Sequence, residues 1–348
     1  MSFLWLKRGF LSLAVVGIVT SLAFIAGRGG ASSNKQRAPE TVVVTAFPIP
    51  YFKHDEPSEK RFGSLEYIGG MELRGAHPNF GGISAIRVGG DGERFLSVTD
   101  TGDWIAGRIA YQDQKPVGLS DVLISPTLNS DGKRNKDVGL WDSESIAQDG
   151  DDVFIGIERG HSVLAFDFTK GGIRSMGKPI PLPLHVKNWP ENRGIEALGI
   201  MPSSSQYAGR LVGISERSGG RDDATKGFVM KRDGSEPFRF FVSRSDGFDV
   251  TDLDFLPNGD LIILERYFSP VRGVAMRLRQ FKTAMIKPEA VLNGDTILTA
   301  DKRFHVDNME GLSIHKNANG DTVLTMISDD NFSIAQRTLL LQFKWLGE

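Results

Sequence analysis

The chain is 348 residues long, 40% hydrophobic and 24% charged, with a net charge of −2; these are ordinary globular values without the basic footprint that nucleic acid requires. It has no cysteine, which excludes disulfides, thiolate catalysis, a lipobox and cysteine-ligated zinc.

Residues 1–33 read as an export segment. Lys7 and Arg8 precede an uncharged apolar run from Phe10 to Ala26, and the small residues of GRGGASS place cleavage near Ala31. The run is at the lower limit for crossing a bilayer, so an uncleaved amino-terminal anchor is the alternative. Either way the rest of the chain is expected to be periplasmic or secreted, touching a membrane only through that anchor. Residues 34–61, rich in Pro, Lys, Glu and Ser around VVVTAF, read as a linker with one added strand.

From residue 62 to the end the chain reads as one all-β domain. Short, alternating, β-branched runs are separated by turns such as Asp149-Gly150, Asp233-Gly234, Asn258-Gly259 and Asn319-Gly320. Five apolar strands run into an acid: FLSVTD at Asp100, VFIGIER at Glu158, LVGISER at Glu216, LIILER at Glu265 and VLTMISD at Asp329, spaced 58, 58, 49 and 64 residues apart. Such a period is that of a propeller blade with loop insertions. No single repeat can bury its own apolar face, so the strand ends must converge on one place. Four strands can be read in each of the first four repeats and three in the fifth. The missing outer strand is assigned to SLEYIGGMEL, residues 64–73, because a closed ring needs its ends zipped. A five-bladed β-propeller closed by strands from both termini is therefore expected, with six blades only if residues 41–75 or 113–141 hold further strands.

The first strand of each repeat brings a second acidic set, Glu144, Glu196, Asp252 and Glu310, with Gly82 where the first repeat lacks an acid and Asp252 placed behind Thr251. Innermost strands line the channel of a propeller, so these carboxylates should ring one mouth. Crowded carboxylates repel unless a cation or arginines neutralise them, and calcium suits an all-oxygen ring. Three strand ends are Glu-Arg pairs, Glu158-Arg159, Glu216-Arg217 and Glu265-Arg266. Neighbours along a strand point to opposite faces, so interblade salt bridges are the plainest role for these pairs; the functional one is an arginine grip on an anionic ligand. His77 and His161 read as turn or core residues, whereas His305 and His315 flank Asp307–Glu310 and are candidates for the same mouth. Neither HExxH nor GxSxG is present.

The most distinctive stretches are Asn308-Met309-Glu310-Gly311-Leu312, Ile327-Ser328-Asp329-Asp330-Asn331-Phe332-Ser333 and Gln336-Arg337-Thr338-Leu339-Leu340. Together with Gly69–Leu73, Phe80–Ser84, Ser97–Asp100, Gly194–Leu198 and Leu264–Pro270 they resemble the phytase-like family of exported bacterial β-propellers, over nearly everything from about residue 62 onward. The resemblance implies phosphodiesterase- or phosphatase-type hydrolysis of a small anionic or phosphorylated substrate. On that expectation Glu144, Glu310, Asp329 and Asp330 hold calcium, Glu196 or Glu158 orients water with Glu310 as a further catalytic carboxylate, and Arg159, Arg217 and Arg266 neutralise the phosphate. The protein is expected to be monomeric. Two other readings remain open: a binding module without turnover for a ligand or envelope partner, and a carboxylate-pair glycosidase with Trp104, Trp141 and Trp189 lining its cleft.

Overall fold

The computed structural model describes residues 38–190, 193–217 and 224–347; the expected export segment lies outside them. Among the described residues no helix is long and apolar enough to cross a membrane. The described residues form five blades, antiparallel except where Leu128–Asn129 and Val291–Leu292 add parallel outer strands to the second and third. Their innermost strands are Ile83–Val88, Ser143–Asp149, Ile195–Ile200, Asp249–Phe255 and Asn308–Lys316, each followed in its sheet by the next strand in sequence.

Blade closure follows the expected zip. In the fifth blade Thr338–Trp345 pairs with Leu65–Gly75, a strand that precedes the first blade in sequence. The stretch read as a linker is built into the propeller, with two added strands rather than one. Glu40–Thr41 extends the first blade and Val44–Ile49 the fifth, while Phe52 is fully buried among Phe62, Tyr67, Phe304 and Phe343. Composition misled here because apolar anchors are interspersed among polar residues. Residues 113–141 supply Lys115–Pro126 to the first blade and Leu128–Asn129 to the second, so they hold no sixth blade.

The core is divided among the blade junctions. One apolar cluster joins Val98 and Trp104 to Ile146 and Ile155 between the first two blades, another joins Phe154 to Phe228, and a third joins Val212 and Phe240 to Leu253 and Ile263. The remaining two join Leu264 and Met276 to Met326 and Leu341, and Ile86 and Ile105 to Ile327 and Leu340. A blade is thus stable only between its neighbours.

One end of the channel is closed by a buried ion pair. The Arg87 guanidinium donates to Asp252 Oδ1 and Oδ2 at 2.9 and 2.8 Å, and to the carbonyls of Ile86, Leu312, Leu198 and Leu253. Asp252 also accepts from the Leu312 and Leu253 amides. Four inner strands meet on this one guanidinium, so Asp252 is a channel plug and not a member of the mouth ring.

Candidate active site

At the other end the five inner strands share a defect that makes the site. Each carries a β-bulge at the same place, and the unpaired residues are Ser84, Glu144, Glu196, Thr251 and Glu310. A bulge re-aims a side chain that regular alternation would send elsewhere, and here it turns three glutamates toward the well. The residue facing the bulge on the second strand is followed by Asp100, Glu158, Glu216, Arg266 and Asp329 in the five blades.

This register corrects three expectations. The fourth blade contributes Arg266, not Glu265, because its apolar run is one residue shorter before the charged pair. Glu265 points the other way, where Arg277 Nε donates to it at 2.6 Å and Arg279 Nε at 3.0 Å. The residues equivalent to Glu144 in the first and fourth blades are Ser84 and Thr251, not Gly82 and Asp252. Gly82 has φ +59° and any Cβ there would overlap Asp100 Oδ1, so no side chain fits at that position.

The result is a well of about 270 Å³ lined by Asp100, Asp142, Glu144, Glu158, Glu196, Glu216, Glu310 and Asp329, with Arg266, Asn308 and Asn331. Among the described residues eight carboxylates and one arginine line it. Arg266 Nη1 donates to Asn308 Oδ1 at 2.9 Å, and its guanidinium lies 3.2 Å from Glu310 and 3.5 Å from Glu216. Burial and mutual repulsion push the carboxyls upward: Glu158 and Glu310 to about 7, Asp329 to about 8 and Asp100 to about 6, all mainly through burial. Glu144 and Glu196 are raised well above the carboxylate range by burial and then by their acidic neighbours, Asp142 chief among those beside Glu144.

Two carboxylate triads have oxygens within 4.8 Å of one another, Asp142–Glu144–Glu158 and Glu158–Glu196–Glu216. Glu158 belongs to both. Asp100 Oδ1, also in the wall, is buried without a hydrogen-bond partner. An all-oxygen donor set, an orphaned carboxylate oxygen and carboxyls that resist ionisation together fit a hard divalent cation such as calcium.

Of the four expected ligands, Asp330 does not line the well and Glu144, Glu310 and Asp329 do. Asp330 accepts the amides of Gly82 and Phe332 and the Thr338 hydroxyl, so it braces the loop above the first and fifth blades. Glu310 and Asp329 line the well outside both triads. Asp142 carries no signal in the strand repeat, although it directly precedes the bulged Ser143-Glu144-Ser145; its amide donates to the Asp100 carbonyl, and the Asp142 carbonyl accepts from the Glu158 amide.

Of the arginines, Arg159 lies at the rim, with Nε 2.7 Å from Asp142 Oδ2 and its guanidinium 4.1 Å over the Trp141 ring. Arg217 and Arg266 tie across blades, Arg217 to Asp249 and Arg266 to Glu216 and Glu310. Arg193, Arg217, Arg244 and Arg266 line a cleft of about 680 Å³ with Glu216, Asp249 and Tyr267. Arg193 and Arg244 stand in connections between blades, where a strand repeat carries no signal. His161 bonds the Trp189 carbonyl through Nε2, His77 accepts the Asn79 amide, and His315 reaches Thr325 near the far end of its strand. His305 packs edge-on against His54 and at a tilt against Tyr51 instead of lining the well. Trp104 and Trp189 are buried in the core.

A five-bladed propeller with a carboxylate well at one mouth and an ion-pair plug at the other is the class that fold and site define. The family model for phytase-like proteins, described as the esterase-like activity of phytase, matches residues 78–332, and the chain belongs to that family. Among solved structures, the β-propeller domain of Cps50 (Swd1) from Myceliophteria thermophila is similar at 9% identity and TM-score 0.39, covering 88% of this chain and 99% of that one. A putative 6-phosphogluconolactonase from Bacteroides uniformis gives 15% identity and TM-score 0.36, covering 88% and 83%, and U3-55K gives 10% identity and 0.39, covering 78% and 98%. Among curated proteins there is no match.

Proposed function

We propose that this protein is an exported, cation-dependent phosphoester hydrolase acting on a small substrate at the carboxylate well, as a monomer. The observation that carries the proposal is the pair of triads joined through Glu158 beside an arginine-lined cleft: one part attracts cations, the other anions, and Glu216 and Arg266 belong to both. Asp142, Glu144, Glu158, Glu196 and Glu216 would hold calcium, which when bound would neutralise phosphoryl oxygens and polarise the phosphorus centre.

The protein's own groups account for the rest. Arg217, steadied by Asp249, and Arg266, steadied by Asn308, hold the phosphoryl group at the join between well and cleft. Asp329 lines the well outside the triads, so a cation held by the triads would favour its ionised form, and in that form it accepts the proton of the attacking water. The new bond joins water oxygen to phosphorus, the broken one joins phosphorus to the ester oxygen, and the leaving oxygen is protonated from solvent. The Arg87–Asp252 plug closes the channel beneath, so substrate and product both pass through the mouth.

Hydrolysis of bis(4-nitrophenyl) phosphate by the purified protein tests the reading. It should proceed with calcium, stop with chelator and return on adding calcium back, and Glu158→Gln should lose at least a hundredfold in kcat/KM. Hydrolysis that is indifferent to chelator, or unchanged in Glu158→Gln, would contradict it.

A further inference from the structure

We infer that the Asn331 carboxamide holds a non-bridging phosphoryl oxygen of the substrate, while the Asn331 backbone amide aims Asp329 at the attacking water. The inference rests on the hydrolase reading for placing phosphorus in the well. A phosphoryl group entering a wall of carboxylates is repelled except where a cation or a hydrogen-bond donor meets it. Among the described residues the side-chain donors lining the well are Arg266, Asn308 and Asn331. Arg266 already answers Glu310 and Glu216 and donates to Asn308 Oδ1, and the Asn308 side chain in turn bonds Glu310. Asn331 is tied to none of these. Of its two side-chain N–H groups one is used, in a long 3.3 Å bond to Gln336 Oε1.

The loop that carries Asn331 is braced on two blades. Asn331 and Phe332 have φ +47° and +49°, a left-handed pair that non-glycine residues keep only where their surroundings hold them. Asp330 Oδ1 accepts the amides of Phe332 and of Gly82 in the first blade, both at 3.0 Å, and Asp330 Oδ2 accepts the Thr338 hydroxyl at 3.1 Å. The Phe332 ring lies against Gly81 and Gly82, where an added Cβ would meet it at 3.1 and 2.5 Å. Glycine would satisfy the backbone at residue 331 with the least strain; what asparagine adds at this exposed position is a carboxamide in the wall of the well. The same residue orients its neighbour. Its amide donates to Asp329 Oδ1 at 2.7 Å, leaving Oδ2 as the oxygen that takes the water proton. Donor and base thus come from one braced loop, two residues apart, which fixes the phosphoryl oxygen relative to the attacking water.

Two variants at this one position test the inference. Asn331→Gly removes the carboxamide and keeps both the amide and the left-handed backbone; Asn331→Asp keeps the shape and exchanges the donor for a negative charge. With calcium, Asn331→Gly should lower kcat/KM for bis(4-nitrophenyl) phosphate about tenfold to a hundredfold, the worth of one hydrogen bond to a charged group. It should weaken calorimetric binding of phenylphosphonate, whose phosphorus–carbon bond is not hydrolysed, by a similar factor, and Asn331→Asp should weaken both further. The cation-free Asn331→Gly protein should melt no lower than the natural one, and its calcium isotherm should be unchanged. Unchanged kcat/KM and phosphonate affinity would overturn the inference, as would a natural protein that binds no phosphonate. A lower melting temperature or weaker calcium binding in Asn331→Gly would also overturn it, making the residue a brace or a calcium ligand. Weakened phosphonate binding in a protein that hydrolyses nothing would sink the hydrolase reading and leave Asn331 as an anion donor; hydrolysis unaffected by Asn331→Gly would do the reverse.

Discussion

At the scale of single residues the well is a place where charge is tolerated only when something neutralises it. Glu144 is half-buried beside Asp142, Glu158 and Glu310, and its ionised form is disfavoured by desolvation and by all of them. Glu144→Gln should therefore raise the melting temperature of the cation-free protein at pH 8, since a neutral amide escapes that penalty on the ionised form. The same change should reduce the rise in melting temperature on adding calcium, because a charged carboxylate is replaced by a neutral amide. Differential scanning calorimetry with and without calcium checks both, and a Glu144→Gln protein that is less stable without calcium would show that the carboxylate is a structural tie.

At the scale of elements, the closing strand and its apolar underlay decide whether the ring holds. Phe52 is fully buried against four aromatic rings, and Tyr67 donates its hydroxyl to the Ile49 carbonyl at 2.8 Å. Phe52→Ala should cost about 3 to 5 kcal/mol, and removal of residues 1–58 should lower the melting temperature along with removal of residues 1–75, whose loss takes the Leu65–Gly75 strand as well. A 1–58 deletion that melts like the full chain would mean that the added strands contribute nothing. The outer strand borrowed from before the first repeat was legible in the sequence because SLEYIGGMEL had no partner where it stood and the last repeat lacked one. The bulge was not legible, since a one-residue insertion looks like ordinary sequence. The acids of Glu144, Glu196 and Glu310 could be found by spacing alone, but their equivalents Ser84 and Thr251 are not acids, and the LIILER run hid its missing residue by ending in a Glu-Arg pair like its neighbours. Asp142 and the inter-blade arginines Arg193 and Arg244 lie in connections, where the period stops.

For the whole molecule, the well and the plug make opposite contributions at the two ends of one channel. Removing one partner of a buried ion pair strands the other, so Arg87→Met should destabilise by about 3 to 5 kcal/mol and urea unfolding should show it; an unchanged midpoint would mean that the carbonyls around it are content without the guanidinium. The well sets the pH dependence. Glu158, Glu310 and Asp329 hold their protons up to about 7, 7 and 8 in the folded state, against ordinary values of 4.5, 4.5 and 3.8. The folded state then binds more protons than the unfolded chain between about pH 4 and 8, so stability from this cluster is present below that window and lost as pH rises through it. The cation-free protein should melt lower at pH 8 than at pH 5, and calcium, if held by the ionised carboxylates as proposed, should flatten the slope. A melting temperature that climbs from pH 5 to 8 without calcium would contradict this.

The central claim is that Glu158 joins two carboxylate triads into one cation site. Its most direct test is a calcium binding isotherm at pH 7.5 for the natural protein and for Glu158→Gln. Saturable binding that weakens at least tenfold when this one shared carboxylate is neutralised is the predicted result. No binding by the natural protein, or equal binding by the variant, would contradict the account.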